Sequence, residues 1–209
     1  MIELAVYNTD GKEVERLSID EMLLGQTVRY PLLKQAIVMY HANKRVGTAT
    51  NKSRGMVEGS TRKLYKQKGT GNARVGPSRT CKRVGGGVAF AKYARDFSQA
   101  MPKKQRRLAR DSAILAKLMQ NKIVVVTGLS FAEPKTRVFA GILAKLGIER
   151  SCLVTTQAVD QNVYKSARNI QRIDVMDVGS LNAGDICGHE KVLFTKEAWQ
   201  SFMDRSQAN

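Results

Sequence analysis

The sequence predicts an α/β fold: a mostly parallel sheet with helices on both faces, plus a long basic extended loop inserted after the first long helix. Three observations predict it. Short β-branched runs alternate with stretches of helical apolar period on both sides of the chain's middle. The middle itself keeps neither period, and it holds nearly all of the excess positive charge. The predicted organisation is therefore a globular domain of residues 1–45 and 96–209, with an extended basic, glycine-rich arm of residues 46–95.

The elements follow in order. LAVYNTDGKEVERL reads as two short strands about an Asp10-Gly11 turn. Pro31 opens a helix, where its missing N–H costs nothing, and Leu33, Ala36, Ile37 and Tyr40 fall at i, i+3, i+4 and i+7. Pro102 starts a second helix with Leu108, Leu115 and Met119 on one side. The β-branched run IVVV at 123–126 suits a buried strand, and a helix with Val138, Ile142 and Leu146 follows. Leu153-Val154, Ile173 to Val178 and Val192-Leu193-Phe194 are further strands, separated by helical segments near Val163 to Ile170 and Asn182 to Ile186. Thr195 caps a last helix carrying Trp199, Phe202 and Met203.

Of 209 residues, 35 are Lys or Arg and 18 are Asp or Glu, a formal net charge of +17. Such an excess asks for a polyanionic partner, and nucleic acid is the commonest. Residues 41–107 hold 18 Lys plus Arg against two acids, Glu58 and Asp96, a net +16, together with nine of the 17 glycines. At 43% hydrophobic residues the remainder can bury a core of domain size. The three cysteines, Cys81, Cys152 and Cys187, are too scattered for a disulfide framework or a metal knuckle, and two histidines add no metal site. The chain reads as cytosolic and reduced. Glu3, Asp10 and Glu13 stand where a signal peptide needs cations, and no run reaches 18 apolar residues, so secretion and membrane spanning are disfavoured.

The arm's composition suits RNA backbone. Lys44, Arg45, Lys52, Arg54, Arg62, Lys63, Lys66, Lys68, Arg74, Arg79, Lys82 and Arg83 can neutralise phosphates and release counterions. Gly69, Gly71, Gly85, Gly86 and Gly87 remove side chains where backbone must turn or come close, with Gln67, Thr70 and Asn72 as polar neighbours. Tyr65 and the guanidiniums offer planes for stacking unpaired bases. The bland alternative is a solvated basic loop. Gly69 to Arg74 begins like a dinucleotide fingerprint, but the third glycine and the preceding strand are missing. Gly71 to Gly76 has P-loop spacing, yet Pro77 and Ser78 replace the lysine and hydroxyl that would meet phosphate and metal. An enzymatic alternative is a serine hydrolase: Ser130 sits in Gly128-Leu129-Ser130-Phe131-Ala132 after a strand, and Asp160, Asp174 or Asp177 and then His189 follow in triad order.

KQKGTGNAR with GGGVAF downstream, a helix before the arm, Ala132-Glu133-Pro134-Lys135-Thr136 and SARN at 166–169 together resemble the bacterial large-subunit ribosomal protein L-four family, over essentially the whole chain. The resemblance implies a non-enzymatic structural protein of the cytoplasmic ribosome that binds 23S ribosomal RNA early in subunit assembly. It also implies that Lys68, Gly69, Thr70, Gly71 and Arg74 form a loop tip in the wall of the polypeptide exit tunnel. Its partners are then that RNA, other large-subunit proteins and the nascent peptide, with no cofactor, membrane or small-molecule substrate. The sequence departs from the family pattern in three places. Tyr65 replaces a Trp but keeps a stacking plane, Asn72 replaces an Arg and loses a cation, and Arg83-Val84 replaces Trp-Arg. Without the resemblance, a general nucleic-acid-binding protein remains the alternative binding class.

Overall fold

The computed structural model describes residues 2–207. Strands β1 (Ile2–Tyr7) and β2 (Glu13–Ile19) pair antiparallel, with Leu4 opposite Leu17. The reversal is held by Asn8, whose side-chain oxygen accepts from Asp10 N at 3.0 Å and Lys12 N at 2.9 Å, an Asx turn. Asp10 itself turns outward to Lys145, 2.9 Å away. Beyond a 3₁₀ turn at Glu21–Leu24 come α1 (Tyr30–Asn43) and, sixty residues later, α2 (Lys103–Met119). The chain then alternates: β3 (Ile123–Val126), α3 (Thr136–Lys145), β4 (Cys152–Thr156), α4 (Gln161–Ala167), β5 (Ile173–Asp177), α5 (Ala183–Gly188), β6 (Lys191–Thr195) and α6 (Lys196–Gln207). As expected, Thr195 Oγ1 accepts from Ala198 N at 3.2 Å at the start of α6.

The six strands form one sheet in the order β2-β1-β3-β6-β4-β5, parallel everywhere except the β1–β2 pair. The last strand is thus inserted between β3 and β4. Pleating sends alternate residues to opposite faces. Ile123, Val125, Leu153, Val192 and Phe194 meet α1, α2, α5 and α6 on one face, while Val124, Val126, Cys152, Val154 and Leu193 meet α3 and α4 on the other. Burial on both faces explains why these strands are continuous apolar runs.

Two helical faces differ from the expected ones. In α2 the buried residues are Ala109, Ser112, Ala113, Ile114, Leu115 and Leu118, and Met119 is 63% exposed. In α3 they are Phe139, Ile142 and Leu143, while Val138 is 47% exposed and Leu146 lies past the last turn. Phe139 and Leu143 are i, i+4 neighbours that put a larger surface against the sheet than the Val138 stripe would.

Chain contacts divide the molecule into two compact units, Met1–His41 with Gln99–Asn209, and Ala42–Ser98. The second unit contains no helix or strand after Asn43, only two isolated bridges, Ser53 with Val88 and Lys63 with Pro77. Its one buried residue is Gly87. A segment that buries no apolar side chain gains little of the free energy that offsets ordering, roughly 1–2 kcal/mol per residue for the backbone alone.

Candidate nucleic-acid interface

Within residues 42–98 the chain doubles back on itself. Arg95 N donates to the Gly47 carbonyl at 3.2 Å, Asn51 N to Lys92 at 2.9 Å and Val88 N to Lys52 at 2.9 Å. Further along, Leu64 N donates to Gly76 at 3.4 Å, Lys63 Nζ donates to the Val75 carbonyl at 2.9 Å and to Gln67 Oε1 at 3.0 Å, and the Tyr65 hydroxyl donates to the Ala73 carbonyl. These bonds close a reversal whose tip carries Lys66, Lys68, Gly69, Thr70, Gly71 and Asn72, all exposed except the half-buried Thr70. Gly69 and Gly71 have φ of +82° and +69° with no atom within 4 Å of a built Cβ. Their requirement is therefore conformational: a tight reversal that other residues enter only with strain.

The remaining sequence-selected residues divide by role. Lys52, Arg54, Arg62, Arg74, Lys82 and Arg83 stand exposed along the segment. Lys63 and Tyr65 tie the two limbs together through the bonds above, and Arg79 reaches the Val57 carbonyl at 3.5 Å. The glycine triplet lies in a series of tight turns: Arg83 N donates to Thr80 at 3.1 Å, Gly86 N to Arg83 at 3.1 Å and Gly87 N to Arg79 at 3.2 Å. A Cβ on Gly87 would lie 2.2 Å from Arg54 N and 2.4 Å from Arg54 Cα, so this position requires close backbone approach. Lys44 follows α1, and the Arg45 guanidinium lies 3.9 Å from the Phe97 ring centroid. Arg95 lies over the same ring at 4.4 Å. Phe97, Arg95, Lys92 and Tyr93 were not among the residues the sequence singled out, because aromatic residues spaced four apart in a loop carry no periodic signal.

The hydrolase alternative fails on geometry. β3 and β6 are parallel, with Ile123 opposite Val192 and Val126 opposite Thr195. Ser130 follows the C-terminal end of β3, and His189 precedes the N-terminal end of β6, so the two lie at opposite ends of these neighbouring parallel strands. The strand between spans ~13 Å at roughly 3.3 Å per residue. The other candidates are engaged locally. Asp160 caps α4, accepting from Asn162 N at 2.8 Å. Asp177 binds the Ser180 hydroxyl, which holds its carboxyl below the usual range. His189 places Nε2 2.9 Å from Asp174 and Nδ1 2.8 Å from the Asp185 carbonyl. Burial pushes the Cys152 thiol up to about 12, so it stays a neutral core group. Among the described residues no three His, Cys, Asp or Glu gather as a metal site, and no helix is long and apolar enough to cross a membrane.

An α/β unit with its own two-sided core, continuous in sequence with a coreless polycationic segment, defines a class: a globular domain carrying a basic extension whose charge suits a polyanion. The family model described as the ribosomal protein L4/L1 family matches residues 17–205. The chain is 43% identical to the large ribosomal subunit protein uL4 of Dehalococcoides mccartyi over 197 residues, 94% of each chain. It is 41% identical to that of Heliobacterium modesticaldum over 198 residues, 95% of this chain and 96% of the relative. It is 42% identical to that of Rhodopirellula baltica over 205 residues, 98% and 92%. The chain belongs to the ribosomal protein L4/L1 family.

Proposed function

We propose that the protein is a structural constituent of the cytoplasmic large ribosomal subunit that binds 23S ribosomal RNA early in assembly, through an arm of residues 46–95. Lys68, Gly69, Thr70, Gly71 and Arg74 then line the polypeptide exit tunnel and meet the nascent peptide. The observation that carries this reading is the coincidence, within residues 42–98, of a net charge of +12 out of the chain's +17 with the loss of any apolar core. Such a segment takes its order from a polyanion: phosphates supply the counter-charge, and displaced counterions supply entropy. The named functions of the relatives and the family membership support the same role. The globular domain, 1–45 and 96–209, presents the arm and contacts other large-subunit proteins.

The exposed tip lysines give the test. Replacing Lys66 and Lys68 together by alanine removes two phosphate partners without touching the Lys63 and Tyr65 ties. Affinity for a 5′-domain fragment of 23S ribosomal RNA, measured across a salt series, should lose roughly 1–2 units of log–log slope. An unchanged slope would remove these lysines from the RNA contact, and failure of the wild-type protein to bind the fragment would end the RNA reading altogether.

A further inference from the structure

The paired limbs at residues 45–49 and 91–97 enclose a cleft of about 580 Å³, inside the roughly 300–1,000 Å³ range of small-ligand sites. Three cations, Arg45, Lys92 and Arg95, and two aromatic rings, Tyr93 and Phe97, line it, and no carboxylate does. The backbone bonds from Arg95 to Gly47 and from Asn51 to Lys92 fix the two walls against each other. Phe97 is already covered: the Arg45 and Arg95 guanidiniums lie over its ring at 3.9 Å and 4.4 Å. Stacking holds each planar guanidinium in place and leaves its N–H edge to hydrogen-bond. Tyr93, by contrast, is 59% exposed.

We propose that this cleft is a binding site for one unpaired RNA nucleotide, its base stacked on Tyr93 and its phosphate held by Lys92 and the stacked guanidiniums. The site rests on the RNA-binding reading above and adds to it a base-stacking step. A duplex would satisfy the cations but could not offer a base face to Tyr93, because paired bases stay stacked within the helix. An acidic peptide would likewise use the charges and leave the ring idle. The small side chains of Thr48, Ala49 and Ala91 complete the lining and leave its space open.

The probe is a 12-nucleotide single-stranded RNA with a central 2-aminopurine, whose fluorescence falls when it stacks, with a 12-base-pair RNA duplex as control. Tyr93→Leu should cost roughly tenfold in affinity for the single strand and abolish the quenching, while Tyr93→Phe retains both. The salt slope should stay as in the wild type, since no phosphate partner is lost, and duplex binding should not move. Lys92→Ala should instead lower the slope by about one and keep the quenching. Equal losses on duplex and single strand, wild-type behaviour of Tyr93→Leu, or displacement of the strand by octaglutamate as effective as by unlabelled RNA would each overturn the nucleotide site. The first two of these results leave RNA binding by the arm intact. A wild-type protein that binds neither probe nor a 23S fragment defeats the site and the broader reading together.

Discussion

Phe194→Ala should lower the unfolding free energy of the globular unit by about 3–5 kcal/mol. Phe194 has no exposed surface and sits on β6, inside the sheet between β3 and β4. Its ring meets Trp199 nearly edge-on at 5.1 Å and Phe202 at 6.1 Å, and Trp199 and Phe202 themselves lie 5.8 Å apart. Truncation removes a partner from both rings and leaves a void that a sheet pinned on either side cannot close. Domains of this size are stable by roughly 5–15 kcal/mol, so the variant stands near its threshold. Urea unfolding followed by far-ultraviolet circular dichroism measures the loss, and a change below about 1 kcal/mol would show that the aromatic cluster does not hold the core. Met119→Ala is the control. Met119 belongs to the face that apolar spacing selects, yet it is largely exposed, and its loss should stay within about 0.5 kcal/mol.

Gly87→Val should abolish the native pairing of the basic segment while leaving the globular unit's unfolding unchanged. The new Cβ would meet Arg54 N, Arg54 Cα and Ser53 C at 2.2–2.4 Å, and backbone atoms cannot rotate away as a side chain would. The limb at 52–54 must separate from 87–88, which breaks the 2.9 Å bond from Val88 N to Lys52 and the bridge of Ser53 with Val88. Gly71→Val makes the contrast. It meets no atom, and its cost is the left-handed backbone alone, about 1–2 kcal/mol. RNA affinity at fixed salt should therefore fall by more than about tenfold for Gly87→Val and by less for Gly71→Val. The reverse order would mean that the segment is organised from its tip and not from its paired limbs.

The sequence made the strand–helix alternation legible because the buried strands are short runs holding β-branched residues and each helix start carries a proline, a hydroxyl or an Asx residue. What it left hidden is long-range. Nothing local places β6 between β3 and β4, since that order depends on contacts between residues such as Val125 and Phe194, far apart in the chain. The α2 face was misplaced for a related reason. Ala109, Ser112 and Ala113 are buried in a helix that packs chiefly against α5 and the Glu21–Leu24 turn, where small residues allow close approach, whereas apolar spacing favours the larger Leu108 and Met119. In the basic segment, charge and glycine content selected the candidate residues, but they could not separate exposed tip cations from Lys63 and Tyr65, which tie the limbs together. Nor could they reveal that Tyr93 and Arg45 line one cleft, because the backbone pairing of Gly47 with Arg95 brings them together.

The presence of Gly87 as the only buried residue between 42 and 98 bears on how long a free chain survives. A protease needs several residues of backbone drawn out into its cleft, and opening a segment costs only what its packing supplies. Here that is very little, and the segment is dense in Lys and Arg. Trypsin should cut free protein first within 42–98 and spare the remainder, whereas chains seated on RNA should stay whole; equal cleavage rates in the two states would contradict this. Degradation then falls selectively on molecules without a partner. On the RNA-binding role proposed above, stoichiometry would be corrected by half-life: surplus copies would be cleared, and the surviving number would follow the supply of RNA.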